Sequence, residues 1–195
     1  MKTSFQSGDI QLLLGAPKQR IEYLSLKIPI RPELEQVSGT GKANLYSFRN
    51  SLQFAIAQEV SNLGLYLTEI RSILDTIQKL SDGDNGTEIQ VTLAAGKFSG
   101  ARHKKLVETV RDGAEALKGF FSDDATPRNA YLVLFAEAKS HQDSNEASDS
   151  RVDHLWFPVP DLRDVLGTAR QVSGLVALNL GKIRARLVGF ADQEA

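Results

Sequence analysis

The apolar positions of the first eighty residues recur at helical spacing. Ile10, Leu13 and Leu14 share one side of a short helix over 10–14, behind the capping run Ser7-Gly8-Asp9. Gly15 turns the chain, and Pro17 stands where a first helical turn tolerates it, so a second helix runs to about Lys27. Pro29 and Pro32 break that helix, and Ser38-Gly39-Thr40-Gly41 reads as a flexible loop. Tyr46-Ser47 starts a longer helix with Leu52, Ile56, Val60 and Leu63 on one face. Gly64 stops it, and Thr68 with Glu69 opens a fourth helix carrying Ile70, Ile73, Leu74 and Ile77.

The pattern changes after the polar run Ser81-Asp82-Gly83-Asp84-Asn85-Gly86. Strands are expected at Glu88–Leu93, Ala130–Ala138, Val152–Phe157 and Gly174–Leu178, and helices at Arg102–Phe121 and Leu162–Arg170. Lys139–Ser150 is polar and acidic, the pattern of a loop. Lys182–Leu187 either continues the last strand or begins a final helix. In order this gives β-α-β-β-α-β, the split arrangement of ferredoxin-like domains. The expected class is therefore α+β, with a helical unit over 1–80, a linker at 81–87 and a small α/β domain over 88–195.

Composition narrows the function. The chain has 195 residues, 42% hydrophobic and 24% charged, the balance of a globular protein with a core. It holds no cysteine, which excludes disulfides and thiolate metal sites and fits a reducing compartment. No stretch approaches the roughly 20 apolar residues of a membrane span, and no secretory leader is visible, so the cytoplasm is the expected location. The net charge is −1, yet residues 1–58 carry seven Lys/Arg against four acids, a net +3. That asymmetry fits an anionic partner for the N-terminal part.

Three blocks carry a resemblance. Gly15-Ala16-Pro17-Lys18-Gln19-Arg20-Ile21-Glu22-Tyr23-Leu24 and its continuation to Pro32 form the first. Ser38 to Phe48 is the second, and Leu63-Gly64-Leu65-Tyr66-Leu67-Thr68-Glu69-Ile70-Arg71-Ser72-Ile73-Leu74 the third. In this order and spacing they resemble, over about residues 8–78, the winged helix-turn-helix of the MerR family of transcriptional regulators. The resemblance implies a recognition helix beginning at Pro17, a wing over 38–44, and a homodimer on a pseudo-palindromic duplex site. Lys18, Gln19 and Arg20 would then meet base edges and phosphates from the helix N-terminus, where free N–H groups also favour phosphate. Tyr23, Lys42, Tyr46 and Arg49 would complete the backbone grip. RNA polymerase and a small-molecule effector are further candidate partners, and the second domain would sense or dimerise.

The chain departs from the family pattern at three places. Glu22 stands where the family usually has Arg, Leu24 where it has an aromatic, and Ala43-Asn44 where the wing carries an Arg pair. These departures support an alternative, a protein-interaction module that keeps the winged fold without strong DNA contact. Other chemistry finds less support. The Gly-x-Gly at 39–41 lacks the strand that a phosphate-cradling loop follows. His141 and Asp143 invite a metal, but no spacing enforces the three or four converging ligands a site needs. There is no Gly-x-Ser-x-Gly elbow and no base beside a serine, so no enzyme activity, catalytic residue, metal or cofactor is expected. Trp156-Phe157-Pro158 reads as a strand-end core cluster or a pocket wall.

Overall fold

A computed structural model describes residues 2–28, 30–34, 44–83, 101–122, 130–136, 155–163 and 174–193. Its first helix, α1 (Ser7–Leu14), starts three residues before the expected point. The cause is local: the Asp9 carboxylate accepts the Gln6 N–H at 2.7 Å and holds a donor that the first turn cannot satisfy. Gly15 closes α1 at φ 60°, a left-handed position that costs glycine little. Pro17 caps α2 (Lys18–Lys27), and Ile21 and Leu24 bury while Ile10 and Leu13 of α1 do the same.

A short ladder joins the chain start to the segment before the third helix. Strand β1 (Ser4–Phe5) pairs antiparallel with β2 (Tyr46–Ser47), in the register Phe5 to Tyr46. Ser47 then caps α3 (Phe48–Asn62), its Oγ accepting the Asn50 N–H at 3.1 Å. Helix α3 buries Leu52, Phe54, Ala55, Ile56, Ala57 and Val60 around most of its circumference. A helix apolar on so many sides must be central, and α1, α4 and the last helix all pack on it. Helix α4 (Leu67–Ser81) is one-sided instead, with Ile70, Ile73, Leu74, Ile77 and Leu80 inward.

Helix α5 (Ala101–Leu117) ends ahead of Phe121 because Gly119, at φ 66°, leaves the helical region. It packs on β4 (Leu155–Val159) so closely that a side chain at Gly113 would strike the Pro158 backbone. Strand β3 (Tyr131–Ala136) lies between β4 and β5 (Gly174–Asn179), antiparallel to both, with Val133 opposite Phe157 on one side and Ala177 on the other. The parallel pair of a split βαβ unit needs the expected strand at 88–93, which lies outside the described residues. So do the polar stretch 139–150 and all but the first residues of the helix expected over 162–170.

The chain closes with α6 (Leu180–Gln193), so Lys182–Leu187 is helical. Asn179 sets its start, its Oδ1 accepting the Lys182 N–H at 2.8 Å. The helix returns to the N-terminal unit: the Lys2 N–H donates to the Ala191 carbonyl at 3.0 Å, and Arg186 pairs with Glu59 of α3. One apolar cluster therefore runs from Phe5 through α3 and α4 to Leu187 and Ala191. Among the described residues the architecture is α+β, helices with two small antiparallel sheets. Among the described residues no helix is long and apolar enough to cross a membrane.

Candidate nucleic-acid interface

Helix α2 follows α1 after the three residues Gly15-Ala16-Pro17. Ile21, Leu24 and, just past the helix, Ile28 are buried and fix which side of α2 faces the core. The opposite side follows from the 3.6-residue period: Lys18, Gln19, Glu22, Tyr23, Leu26 and Lys27 are all exposed. The free N–H groups of the first turn lie at the Lys18–Gln19 end, where an anion is favoured.

The expected contact residues divide once their surroundings are known. Lys18 and Gln19 stand on the exposed face, and Lys18 Nζ lies 3.5 Å from Glu22 Oε1. Both groups of that pair are mostly in solvent, so it contributes only ~0.3–0.5 kcal/mol and an incoming phosphate can displace it. Arg20 faces α3 instead. Its Nε donates to Gln58 Oε1 at 3.2 Å, its Nη2 donates to Ser61 Oγ, and its guanidinium lies 5.6 Å from the Tyr23 ring centroid. The geometry makes Arg20 a strut between α2 and α3. Tyr23 keeps one side in solvent and borders a cleft of about 390 Å³ shared with Arg20, Ser61, Tyr66 and Thr68.

Tyr46 is only 4% exposed. Its ring meets Phe54 edge to face at 5.3 Å, inside the core behind the β1–β2 ladder. The Tyr46 ring therefore has a packing role in the core. Arg49 points at the Glu33 carboxylate, at 3.7 Å, and the Phe121 ring, at 5.7 Å. Lys42 lies outside the described residues, as does His141 with Asp143.

Two features escaped the sequence reading. Arg71 of α4 donates through Nε, at 3.0 Å, and Nη2 to the Lys27 carbonyl, satisfying an acceptor that the end of α2 leaves open. Glu33 fastens the exit of α2 to the start of α3: its N–H donates to Asn50 Oδ1 at 3.0 Å and its carboxylate accepts from Ser47 Oγ. The exit of α2 and the start of α3 are thereby tied to each other. Both features join side chains to groups far along the chain, and no short-range spacing announces them. No protein-family model matches this sequence, and no curated protein matches it.

Proposed function

We propose that the chain is a sequence-specific double-stranded DNA-binding regulator of the MerR type, with α1 and α2 as its helix-turn-helix and α2 as the reading helix. One observation carries this reading. Helix α2 is held along one side by the core, by the bonds of its own Arg20 to Gln58 and Ser61 of α3, and by Arg71 of α4 at its end, while Lys18 and Gln19 at its N-terminal end are left to solvent. A helix that reads the major groove needs this combination of a fixed axis and free polar side chains at its leading end. Gln19 has the bidentate amide suited to adenine, and Lys18 suits guanine or a phosphate. The chain acts on a pseudo-palindromic site as a homodimer, in the cytoplasm.

Selection of duplex DNA from a random pool by the purified chain tests this. An inverted repeat recovered by the native chain and lost with Lys18→Ala and Gln19→Ala together supports the reading. Recovery of no motif at low salt removes it.

A second reading, the winged fold as a protein-docking module, draws on a specific observation of its own. Leu26 is 81% and Tyr66 78% exposed, and Tyr23 and Tyr66 both line the cleft next to α2. Exposed apolar and aromatic side chains of this kind suit a protein partner. Substitution of Leu26 and Tyr66 by Ser separates the two readings, because neither is an expected phosphate contact and both would serve apolar docking.

A further inference from the structure

A groove of about 470 Å³ lies where the end of α3, strand β5 and the start of α6 meet, and α2 contributes nothing to its lining. That volume falls within the range of small-molecule sites. Leu178 and Ile183 are buried beneath it, and Ala177, Ala185 and Leu63 complete its apolar lining. Leu63 is 48% exposed although it ends a helix that is otherwise buried on most sides. Leucine left half in water beside a concave apolar surface gains from being covered.

The charges around the groove select among occupants. Lys182 and Arg186 stand one turn apart on α6, and Glu59 faces them from α3. Arg186 Nη1 is 3.0 Å from Glu59 Oε1, so these two answer each other. Lys182 is exposed and has no carboxylate within ion-pair distance among the described residues. The groove therefore carries one surplus positive charge above an apolar floor. An ammonium ligand would meet Lys182 with like charge. A polyanion would find one surplus cation only, and would have to open the Arg186–Glu59 pair to gain another. A monoanion with an apolar body matches both features.

We propose that this groove binds a small amphipathic monocarboxylate, its hydrocarbon body on Leu63, Leu178 and Ile183 and its carboxylate on Lys182. The position gives such a ligand reach into the N-terminal unit. Glu59 sits on the same stretch of α3 as Gln58 and Ser61, the two residues that hold Arg20 of α2. An effector role for the ligand rests on the DNA-binding reading above; its binding does not.

The test is calorimetric titration of the full chain with octanoate, set beside octanol and octylammonium, and repeated on Lys182→Glu. Lys182 is a solvent-facing residue, so thermal melting of the variant is expected to match that of the native chain. A second variant, Ala177→Leu, fills the groove without touching a charge. The expected result is saturable one-to-one binding of octanoate, weakened at least tenfold by Lys182→Glu and also weakened by Ala177→Leu. Octanol is expected to bind more weakly and octylammonium not at all. Absence of saturable octanoate binding, equal binding of octylammonium, or binding indifferent to both variants overturns the proposal. DNA selection with the native chain is a separate readout, so loss of this proposal and loss of the DNA-binding reading are told apart.

Discussion

The guanidinium of Arg20 on α2 is bonded to the amide of Gln58 on α3, at 3.2 Å, and its second donor reaches Ser61 one turn further along the same helix. The position of α2 on the core thus depends on a charged strut as well as on Ile21 and Leu24. Lys18, two residues earlier, has no comparable tie to another helix, since its ion pair is with Glu22 of its own.

These two cations are therefore expected to behave differently. Arg20→Ala removes charge-assisted hydrogen bonds and is expected to cost about 1.5–3 kcal/mol of stability. Lys18→Ala, at an exposed position, is expected to change stability by less than about 0.5 kcal/mol. Urea denaturation of the two variants checks this directly. DNA affinity is expected to fall in both, but only Lys18→Ala lowers it without loosening the fold.

Tyr46 provides a second comparison. Tyr46→Ala empties a core position against Phe54 and is expected to cost about 3–5 kcal/mol, the range for deleting a large buried aromatic. Tyr46→Phe keeps the ring and its edge-to-face contact, and is expected to leave DNA affinity within about twofold, which is a change of roughly 0.4 kcal/mol. A loss of tenfold or more in Tyr46→Phe binding, with the fold intact, would show the hydroxyl on phosphate after all.

Gly113 is where α5 meets β4 most closely. Gly113→Ala forces a methyl group against the Pro158 backbone. Neither a helix axis nor a strand in a sheet yields cheaply, so a loss of about 1–3 kcal/mol is expected, as for other overpacked positions. A thermal melt measures it, and a variant as stable as the native chain would contradict the close packing.

Arg184 is 2% exposed and joins three parts of the chain. Its Nε donates to the Phe120 carbonyl at 3.2 Å, its Nη2 to the Ser122 carbonyl at 2.7 Å, and its guanidinium lies 5.4 Å from the Phe48 ring centroid. Arg184→Met keeps much of the volume and leaves two carbonyls without this donor. The expected loss is about 2–4 kcal/mol, read by urea denaturation. A neutral result would mean that water replaces the guanidinium without penalty.

Asp161 gives a pH-dependent observable. Hydrogen bonds from the Arg163 side chain and backbone N–H hold its carboxyl at about 2, down from 3.8. A depressed carboxyl stabilises the fold above its unfolded value, so this contribution is complete above pH 3.8 and is lost as pH falls towards 2. A carboxyl-carbon NMR titration is expected to show the low value in the native chain and a return towards 3.8 in Arg163→Ala.

The helices of the first eighty residues were legible because their apolar residues repeat at helical spacing and their ends carry Gly15, Ser47 and Gly64. Lys182–Leu187 was not, for a physical reason. Its cations at 182, 184 and 186 alternate with Ile183, Ala185 and Leu187, which reads equally well as a strand face. What decides for helix is the Asn179 cap and a buried Arg184 whose partners lie more than sixty residues away. The candidate interface divides the same way. Exposure of Lys18 and Gln19 follows from helix phase relative to Ile21 and Leu24. The burial of Tyr46 depends on β1 pairing across forty residues, and the engagement of Arg20 on a helix that begins 28 positions later. Neither is written in local spacing.

The most direct test of the account is the salt dependence of duplex DNA affinity, measured by fluorescence anisotropy on the selected site for the native chain and for Lys18→Ala. Phosphate neutralisation releases counterions, so log K against log salt concentration is expected to fall steeply, and Lys18→Ala is expected to reduce that slope by about one. A flat salt dependence, or a slope unchanged by the substitution, would contradict a reading head at the N-terminus of α2.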